Sequence, residues 1–237
     1  MMNSIRVFLA TSCWLISVLS QQVQADEIAK PAIVVTLGDS ITKGVRTGVS
    51  STETFSAILE HDLRQKGISA EVRNPGIGGE RTDQALARLQ KDVLALSPRL
   101  VVIMYGTNDS YVDPGNETSR ITADQFEMNL TELTQQLRSA GVVVVLMTEP
   151  AWGKQAKPNG AGEHPNQRLE EYMKKTRATA KSEHIELIDH FQHWKEADMS
   201  GKDIGEWTTD QCHPNPEGHR EIAGLMLPVI EKLLSDK

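Results

Sequence analysis

The sequence predicts an α/β domain built on a parallel β-sheet with helices on both sides. Short apolar runs alternate with helical periodicity about five times along the chain. The runs are short, rich in β-branched residues and not alternating, which suits strands buried on both faces. No internal repeat, low-complexity segment or linker breaks the alternation.

The first 25 of the 237 residues stand apart from this pattern. Arg6 supplies a positive start, Val7 to Leu19 is apolar, and Val23-Gln24-Ala25 offers small or modest residues before a cut. This is the pattern of a secretory signal peptide cleaved after Ala25. The apolar stretch is shorter than the roughly 20 residues a membrane span needs, and the longest later apolar run, Val142 to Met147, is shorter still. Residues 26–237 are therefore expected to form one exported domain, secreted or periplasmic, with no stable membrane insertion.

Within that domain Ala32 to Leu37 reads as the first strand. Phe55, Ile58, Leu59 and Leu63 then share one helical face. A weaker strand follows at Ala70 to Arg73, and a second helical face is carried by Leu86, Leu89, Val93 and Leu96. Leu100 to Tyr105 is the third strand. The next helix opens with the capping pattern Thr122-Ala123-Asp124-Gln125, buries Phe126, Leu130, Leu133 and Leu137, and stops at Gly141. Val142 to Met147 and Ile185 to Ile188 are the last strands, with a helix between them from about Asn166 to Lys181. The final helix starts after Asn215-Pro216, a cap followed by proline at the first helical position, and Pro228 inside it predicts a kink. Pro150 to Asn166 is the one long irregular stretch, and loops of that length are often functional.

Composition excludes several classes of partner. With 39% hydrophobic and 24% charged residues the chain is neither disordered nor fibrous. Its net charge is −7, becoming −8 once Arg6 is removed, and no basic block is long enough to neutralise a row of phosphates, so nucleic acid is not an expected partner. Of two cysteines, Cys13 lies in the leader behind a poor lipid-attachment pattern. Cys212 then stands alone and cannot form an intrachain disulfide.

Ligands of parallel α/β sheets bind beyond the carboxyl ends of the strands. Three polar clusters lie there: Gly38-Asp39-Ser40-Ile41-Thr42, Asn74-Pro75-Gly76-Ile77-Gly78-Gly79 and Gly106-Thr107-Asn108-Asp109. Asp210-Gln211-Cys212-His213-Pro214 precedes the last helix and can swing into the same crevice. Ester hydrolysis needs a nucleophile, a base, a group that orients the base, and donors for the oxyanion. Ser40, His213 and Asp210 fit the first three roles. The backbone amides of Ser40 and Gly79 and the side-chain amide of Asn108 fit the fourth. Asp39 and Asp109 are expected to brace the loops.

At these residues the chain resembles the SGNH, or GDSL-type, hydrolase family. Gly38-Asp39-Ser40 matches the block with the nucleophile, Gly76-Ile77-Gly78-Gly79 the block that supplies a glycine amide, Gly106-Thr107-Asn108-Asp109 the third block, and Asp210-x-x-His213 the fifth. The blocks stand in family order from 38 to 213, across nearly the whole of the expected mature chain. The resemblance implies a flavodoxin-like three-layer α/β/α sandwich on a five-stranded parallel sheet, and a serine esterase that needs neither metal nor organic cofactor. Gly76, Gly78 and Gly79 all lie in the second block, and the family's spacing from Asn74, as the resemblance implies it, favours Gly79 over Gly78 as the donor. No Gly-x-Ser-x-Gly elbow of the larger α/β-hydrolases is present.

The substrate is expected to be a small-molecule or glycan ester with a short acyl group, acetyl on a carbohydrate above all. A lipolytic esterase, lysophospholipase or thioesterase is the alternative. A non-catalytic glycan-binding module would keep the fold but has no reason to keep Ser40, Asp210 and His213 together. A nucleotide binder could use Lys43 and Arg46 but lacks a glycine-rich phosphate loop. Tyr111, Trp152 and Trp207 flank the blocks and are candidates to pack on substrate, whereas Trp194 reads more as core. The remaining histidines mostly read as surface residues. His190-x-x-His193 beside Asp189 imitates a metal site but lacks a further ligand, so no metal is expected. Cys212 is open to two readings, an exposed thiol beside His213 or a buried inert one. Nothing in the sequence speaks to oligomeric state.

Overall fold

The structure is a computed structural model that describes residues 30–235, so the expected signal peptide and its cleavage site lie outside the described residues. Five parallel strands form one sheet in the order β2-β1-β3-β4-β5: β1 Ala32–Gly38, β2 Ala70–Arg73, β3 Leu100–Met104, β4 Val143–Met147 and β5 Glu186–Ile188. Every residue of β3, at the centre, is buried. That is why its sequence Leu-Val-Val-Ile-Met does not alternate.

Seven α-helices are found among the described residues: α1 Ser40–Lys43, α2 Phe55–Gln65, α3 Thr82–Arg88, α4 Ala123–Ser139, α5 Pro165–Ser182, α6 His190–Met199 and α7 Pro216–Ser235. Helix α2 packs on α7, while α4 packs between α3 and α5. These are the two outer layers of the α/β/α sandwich. Strand order 2-1-3-4-5 reverses direction between β1 and β3, and the crevice at such a switch point is where doubly wound sheets place ligands. The loops after β1 and β3 carry Ser40 and Asn108.

Local chemistry explains most boundaries. Thr122 Oγ1 accepts the amide of Gln125 at 3.2 Å and opens α4, as its capping pattern predicts. Helix α7 runs through Pro228 to Ser235 without ending there. The segment after α3 departs from expectation. Leu89–Val93 is a π-helix and Leu94–Leu96 a 3-10 turn, not a continuation of one α-helix. Ala85, Leu89 and Val93 are all fully buried at a strict spacing of four. On a 3.6-residue helix that spacing drifts by about 40° a step, and widening the turn brings the side chains back onto one line. Helix α6 was not anticipated. Its buried His190, Phe191 and Trp194 are too few to show a period, and Asp189, read as part of a metal-site mimic, caps it through the amide of Gln192. No helix among the described residues is long and apolar enough to cross a membrane.

Candidate active site

Strand β1 delivers the chain to a tight turn in which the Asp39 carboxylate accepts the amide of Ile41 at 2.8 Å and starts α1 at Ser40. Ser40 Oγ lies 2.9 Å from His213 Nε2, a bond closed across 173 residues. On the other side of the ring His213 Nδ1 lies 2.9 Å from Asp210 Oδ2 and 3.2 Å from Oδ1. A carboxylate only accepts, so Nδ1 carries the proton and Nε2 presents a lone pair to the hydroxyl. The structure thus brings Ser40, His213 and Asp210 into one hydrogen-bonded line.

The loop that holds Asp210 and His213 is tightly turned. Asp210 Oδ1 also accepts the backbone amides of His213 at 2.8 Å and Cys212 at 3.2 Å, and Thr209 donates to the His213 carbonyl at 2.8 Å. Between them Gln211 adopts φ +72°, left-handed and uncommon for a residue with a side chain. Gln211 is tied to the loop after β4: its carbonyl accepts the Gly153 amide at 2.8 Å and its Oε1 the Gln155 amide at 3.1 Å. A second tie reaches Asp210 from the β1 side, where Arg46 Nη2 donates to Oδ2 at 2.8 Å. Neither Gln211 nor Arg46 was singled out for this role from the sequence.

Charges follow the geometry. Partial burial would raise the Asp210 carboxyl, but the backbone amide and imidazole of His213, with Arg46, hold it below its ordinary value. Burial pushes His213 down, and Arg46 adds to this against the upward pull of Asp210. The imidazole is accordingly poised as a neutral base.

Asn108 is tied to Asp39, the residue before the serine, and the glycine loop passes close to Ser40 itself. Asn108 Nδ2 donates to Asp39 Oδ2 at 2.7 Å, and its Oδ1 accepts from Arg120 Nη1 at 3.3 Å. The amide therefore has one direction, with its second hydrogen free for the crevice. Of the three candidate glycines, Gly76 gives its amide to Asn74 Oδ1 at 3.0 Å, and a Cβ there would overlap the Lys43 amide nitrogen, so its place is packing. A Cβ on Gly78 would lie 3.9 Å from Ser40 Cβ, and Gly79 turns the chain at φ +78°. Ile77 and Glu80 bond to the carbonyls of Gly38 and Ile77. The amides of Gly78 and Gly79 have no acceptor among the described residues.

Beneath these loops lie buried acids. Asp39 is fully buried, and that burial raises its carboxyl to about 7, with the charge of Asp109 adding to the rise. Asp109 is raised by burial to about 6 although it accepts the amide and hydroxyl of Thr82 at 3.0 and 2.6 Å. Glu149, just beyond β4, is pushed well above the carboxylate range, first by burial and then by the charge of Asp39.

The structure separates the candidate aromatics. Tyr111 and Trp152 lie with ring centroids 6.4 Å apart and planes within 20°, and both remain partly exposed. The Arg120 guanidinium sits 5.0 Å from the Tyr111 centroid and touches Asn108, while Trp152 precedes Gly153, the partner of Gln211. The pair thus links the Asn108 loop to the His213 loop. Trp207, expected near the substrate, is instead buried edge-on against Trp194 at 5.1 Å and donates Nε1 to Glu217. Cys212 is buried and its thiol pushed well above its usual value, which resolves the two readings in favour of an inert thiol. His190 and His219, read as surface residues, are fully buried: burial pushes them down to about 3 and about 4. Among the described residues no group of three or more His, Cys, Asp or Glu is arranged to hold a metal ion.

Comparison with known proteins agrees with this geometry. The model of the GDSL-like lipase/acylhydrolase family matches residues 36–221. Esterase TesA of Pseudomonas aeruginosa is 25% identical over 229 residues, covering 97% of this chain and 100% of that protein. The uncharacterized lipoprotein YqeF of Bacillus subtilis is 32% identical over 118 residues, and the match spans about half of either protein: 48% of this chain and 47% of YqeF. The crystal structure of an acetyl xylan esterase, AlAXEase, superimposes with a TM-score of 0.69 at 29% identity, covering 84% of this chain and 99% of that one.

Proposed function

From the premise that this chain belongs to the GDSL-like lipase/acylhydrolase family and is a carboxylic ester hydrolase, we propose that it is an exported serine esterase that removes short acyl groups, acetyl on a carbohydrate above all, through an acyl-enzyme. The observation that carries the reading is the 2.9 Å contact between Ser40 Oγ and His213 Nε2, with Asp210 on the far ring nitrogen.

Ser40 Oγ attacks the ester carbonyl while His213 Nε2 takes its proton, and Asp210 stabilises the imidazolium that forms. The carbonyl oxygen becomes an oxyanion met by the amides of Ser40 and Gly79 and by Asn108 Nδ2. Collapse of this intermediate expels the alcohol, protonated from His213, and leaves the acyl group on Ser40. Water, deprotonated by the same imidazole, then attacks the acyl carbonyl and releases the acid.

Three features support a small acyl group on a glycan. Tyr111 and Trp152 stand at the rim as partly exposed aromatic surface. A recess of about 250 Å³ beside Trp152, lined by polar side chains including Lys154, His164 and Asn166, offers room for a sugar-sized group. AlAXEase, named for acetyl xylan, has the same fold. A lipolytic esterase is the second reading, favoured by Val45 and Ile77, which expose 48% and 44% of their surface on the loops flanking Ser40. Export rests on residues 1–25, and a mature protein beginning at Asp26 is its direct test.

The test is hydrolysis of p-nitrophenyl acetate and octanoate by the wild type and by Ser40→Ala. Acetate turnover that vanishes in the variant supports the serine mechanism, and acetylated xylo-oligosaccharide is then the substrate to assay. Octanoate preference transfers the assignment to the lipolytic reading. Turnover retained by a pure, folded Ser40→Ala protein overturns the nucleophile.

A further inference from the structure

The contact between Arg46 and Asp210 has no counterpart among the residues that the serine mechanism requires. Arg46 Nη2 lies 2.8 Å from Asp210 Oδ2, the same oxygen that accepts a hydrogen bond from His213 Nδ1 at 2.9 Å. One carboxylate oxygen is therefore shared between a permanent cation and an imidazole that becomes a cation during each turnover.

We propose that Arg46 is a positioning residue of the triad: its guanidinium fixes the Asp210 carboxylate in line with the imidazole and extends the working range of the enzyme toward lower pH. The inference rests on the serine-esterase reading of the same site.

The local fold supports a dedicated placement. Arg46 sits in the loop after α1, between Gly44 and Gly48, which both have positive φ, and its backbone pairs with Val49 in both directions at 3.2 and 2.9 Å. The loop that carries Ser40 is thereby joined to the loop that carries Asp210 and His213 by a charged bond across 164 residues. The other amino group of Arg46, Nη1, is sheltered and has no acceptor among the described residues, and the guanidinium's ion pair there is with Asp210.

Stability does not explain the pair. Its side chains are 30% and 40% exposed, and ion pairs so exposed add little to folding. Electrostatics does explain it. Asp210 favours the imidazolium, burial of the ring is the main opposition to that pull, and Arg46 adds to the opposition. A cation on the same carboxylate opposes that pull without removing the hydrogen bond that orients the ring. The groups that face His213 are few: the Ser40 hydroxyl on Nε2, Asp210 on Nδ1 with Arg46 behind it, and the buried neutral thiol of Cys212 next in the chain, beyond which lie Asp39 and Glu149.

The experiment compares kcat/KM against pH for the wild type, Arg46→Gln, Arg46→Met and Arg46→Lys. In parallel, the His213 ring is titrated by NMR in Ser40→Ala proteins with and without Arg46→Gln. Loss of the cation should move the acid limb and the NMR titration upward together by about half to one pH unit. Arg46→Lys, which keeps the charge, should leave both near the wild type. A loss of kcat/KM that is equal at every pH, with the limb unmoved, overturns the proposal, as does an unmoved ring titration or a downward shift. Should Arg46→Gln not fold, Arg46→Met keeps the aliphatic stem and reads the same quantity. Turnover surviving in Ser40→Ala overturns the serine reading instead, and the ring titration still decides the place of Arg46.

Discussion

Replacing Asn108 by alanine tests the proposed oxyanion site most directly, because the structure fixes what the amide does on each side. Its Oδ1 is held by Arg120 and one Nδ2 hydrogen by Asp39, so the second hydrogen is available to substrate. Removing one preorganised oxyanion donor costs about 2.7 to 4 kcal/mol in the transition state. At about 1.36 kcal/mol per decade this is a loss of about 100- to 1000-fold in kcat, with KM little changed. A second consequence falls on Asp39, which is fully buried and keeps the Ile41 amide but loses its amide partner once Asn108 is gone. Loss of a partner from a buried group costs about 1 to 3 kcal/mol of stability, a fall of a few degrees in Tm for a domain of this size. The assay is saturation kinetics on p-nitrophenyl acetate beside a thermal melt. A folded Asn108→Ala protein that keeps kcat within tenfold of the wild type, or one in which only KM rises, refutes the reasoning, since a transition-state contact must appear in kcat.

Two further perturbations probe the surroundings of the site. His190 and His219 titrate at about 3 and about 4 in the fold. The unfolded chain therefore binds protons first, and each costs up to about 1.4 kcal/mol of stability per pH unit as pH falls from about 6.5 toward those values. His190→Leu should thus gain on the wild type between pH 6.5 and 4 in urea unfolding, even though raised carboxyls such as Asp39 act with the opposite sign in both proteins; a constant gap across that range is evidence against a buried neutral His190. Gly153→Ala places a Cβ against the Gln211 side-chain amide and 3.0 Å from the Gly205 Cα, so the Gln211 amide must move, at the expense of the turn that aims Asp210 and His213. A loss of about ten- to a hundredfold in kcat/KM with an almost unchanged Tm is expected, and full activity would show that Gln211 does not hold the loop.

Much of this was legible in the sequence because burial leaves a mark in composition. β3 and β4 announce themselves as unbroken apolar runs and β1 is broken only by Thr36, whereas β2 and β5 carry charged residues and leave a weaker mark, and the polar clusters that follow β1, β2 and β3 fall on the strand ends where the crevice forms. What escaped detection is made by tertiary contact alone. Arg46 looks like any basic residue in a loop and was weighed only for a phosphate site, since Asp210 lies 164 residues away. Gln211 gives no hint of its left-handed backbone. His219 reads as a surface residue near the start of a helix, yet its Nδ1 accepts the amide of Phe55 at 3.2 Å and its ring packs on the phenyl group. Trp207 was placed by its nearness in sequence to Asp210, but a large indole gains more from Trp194 in the core than from the rim.

The buried acids explain why the site costs stability and keeps its aim. Each strand-end loop is fastened from below by a carboxylate: Asp39 holds Ile41 and Asn108, Asp109 holds Thr82, and Glu80 holds Arg88 and Tyr105. Burial works against the charges of the two aspartates and lifts Asp39 to about 7 and Asp109 to about 6. A neutral side chain at position 39 would avoid that cost but not do the same work. An ionised carboxylate only accepts, so it selects the nitrogen end of the Asn108 amide, whereas an amide in its place could bond either end. Arg120 makes the complementary choice from the other side, since a guanidinium only donates and so selects the oxygen end. Acceptor on one side and donor on the other leave the Asn108 amide a single orientation, with its second Nδ2 hydrogen not taken by Asp39. The direction persists even as Asp39 takes up a proton near neutral pH, because Arg120 keeps its charge there.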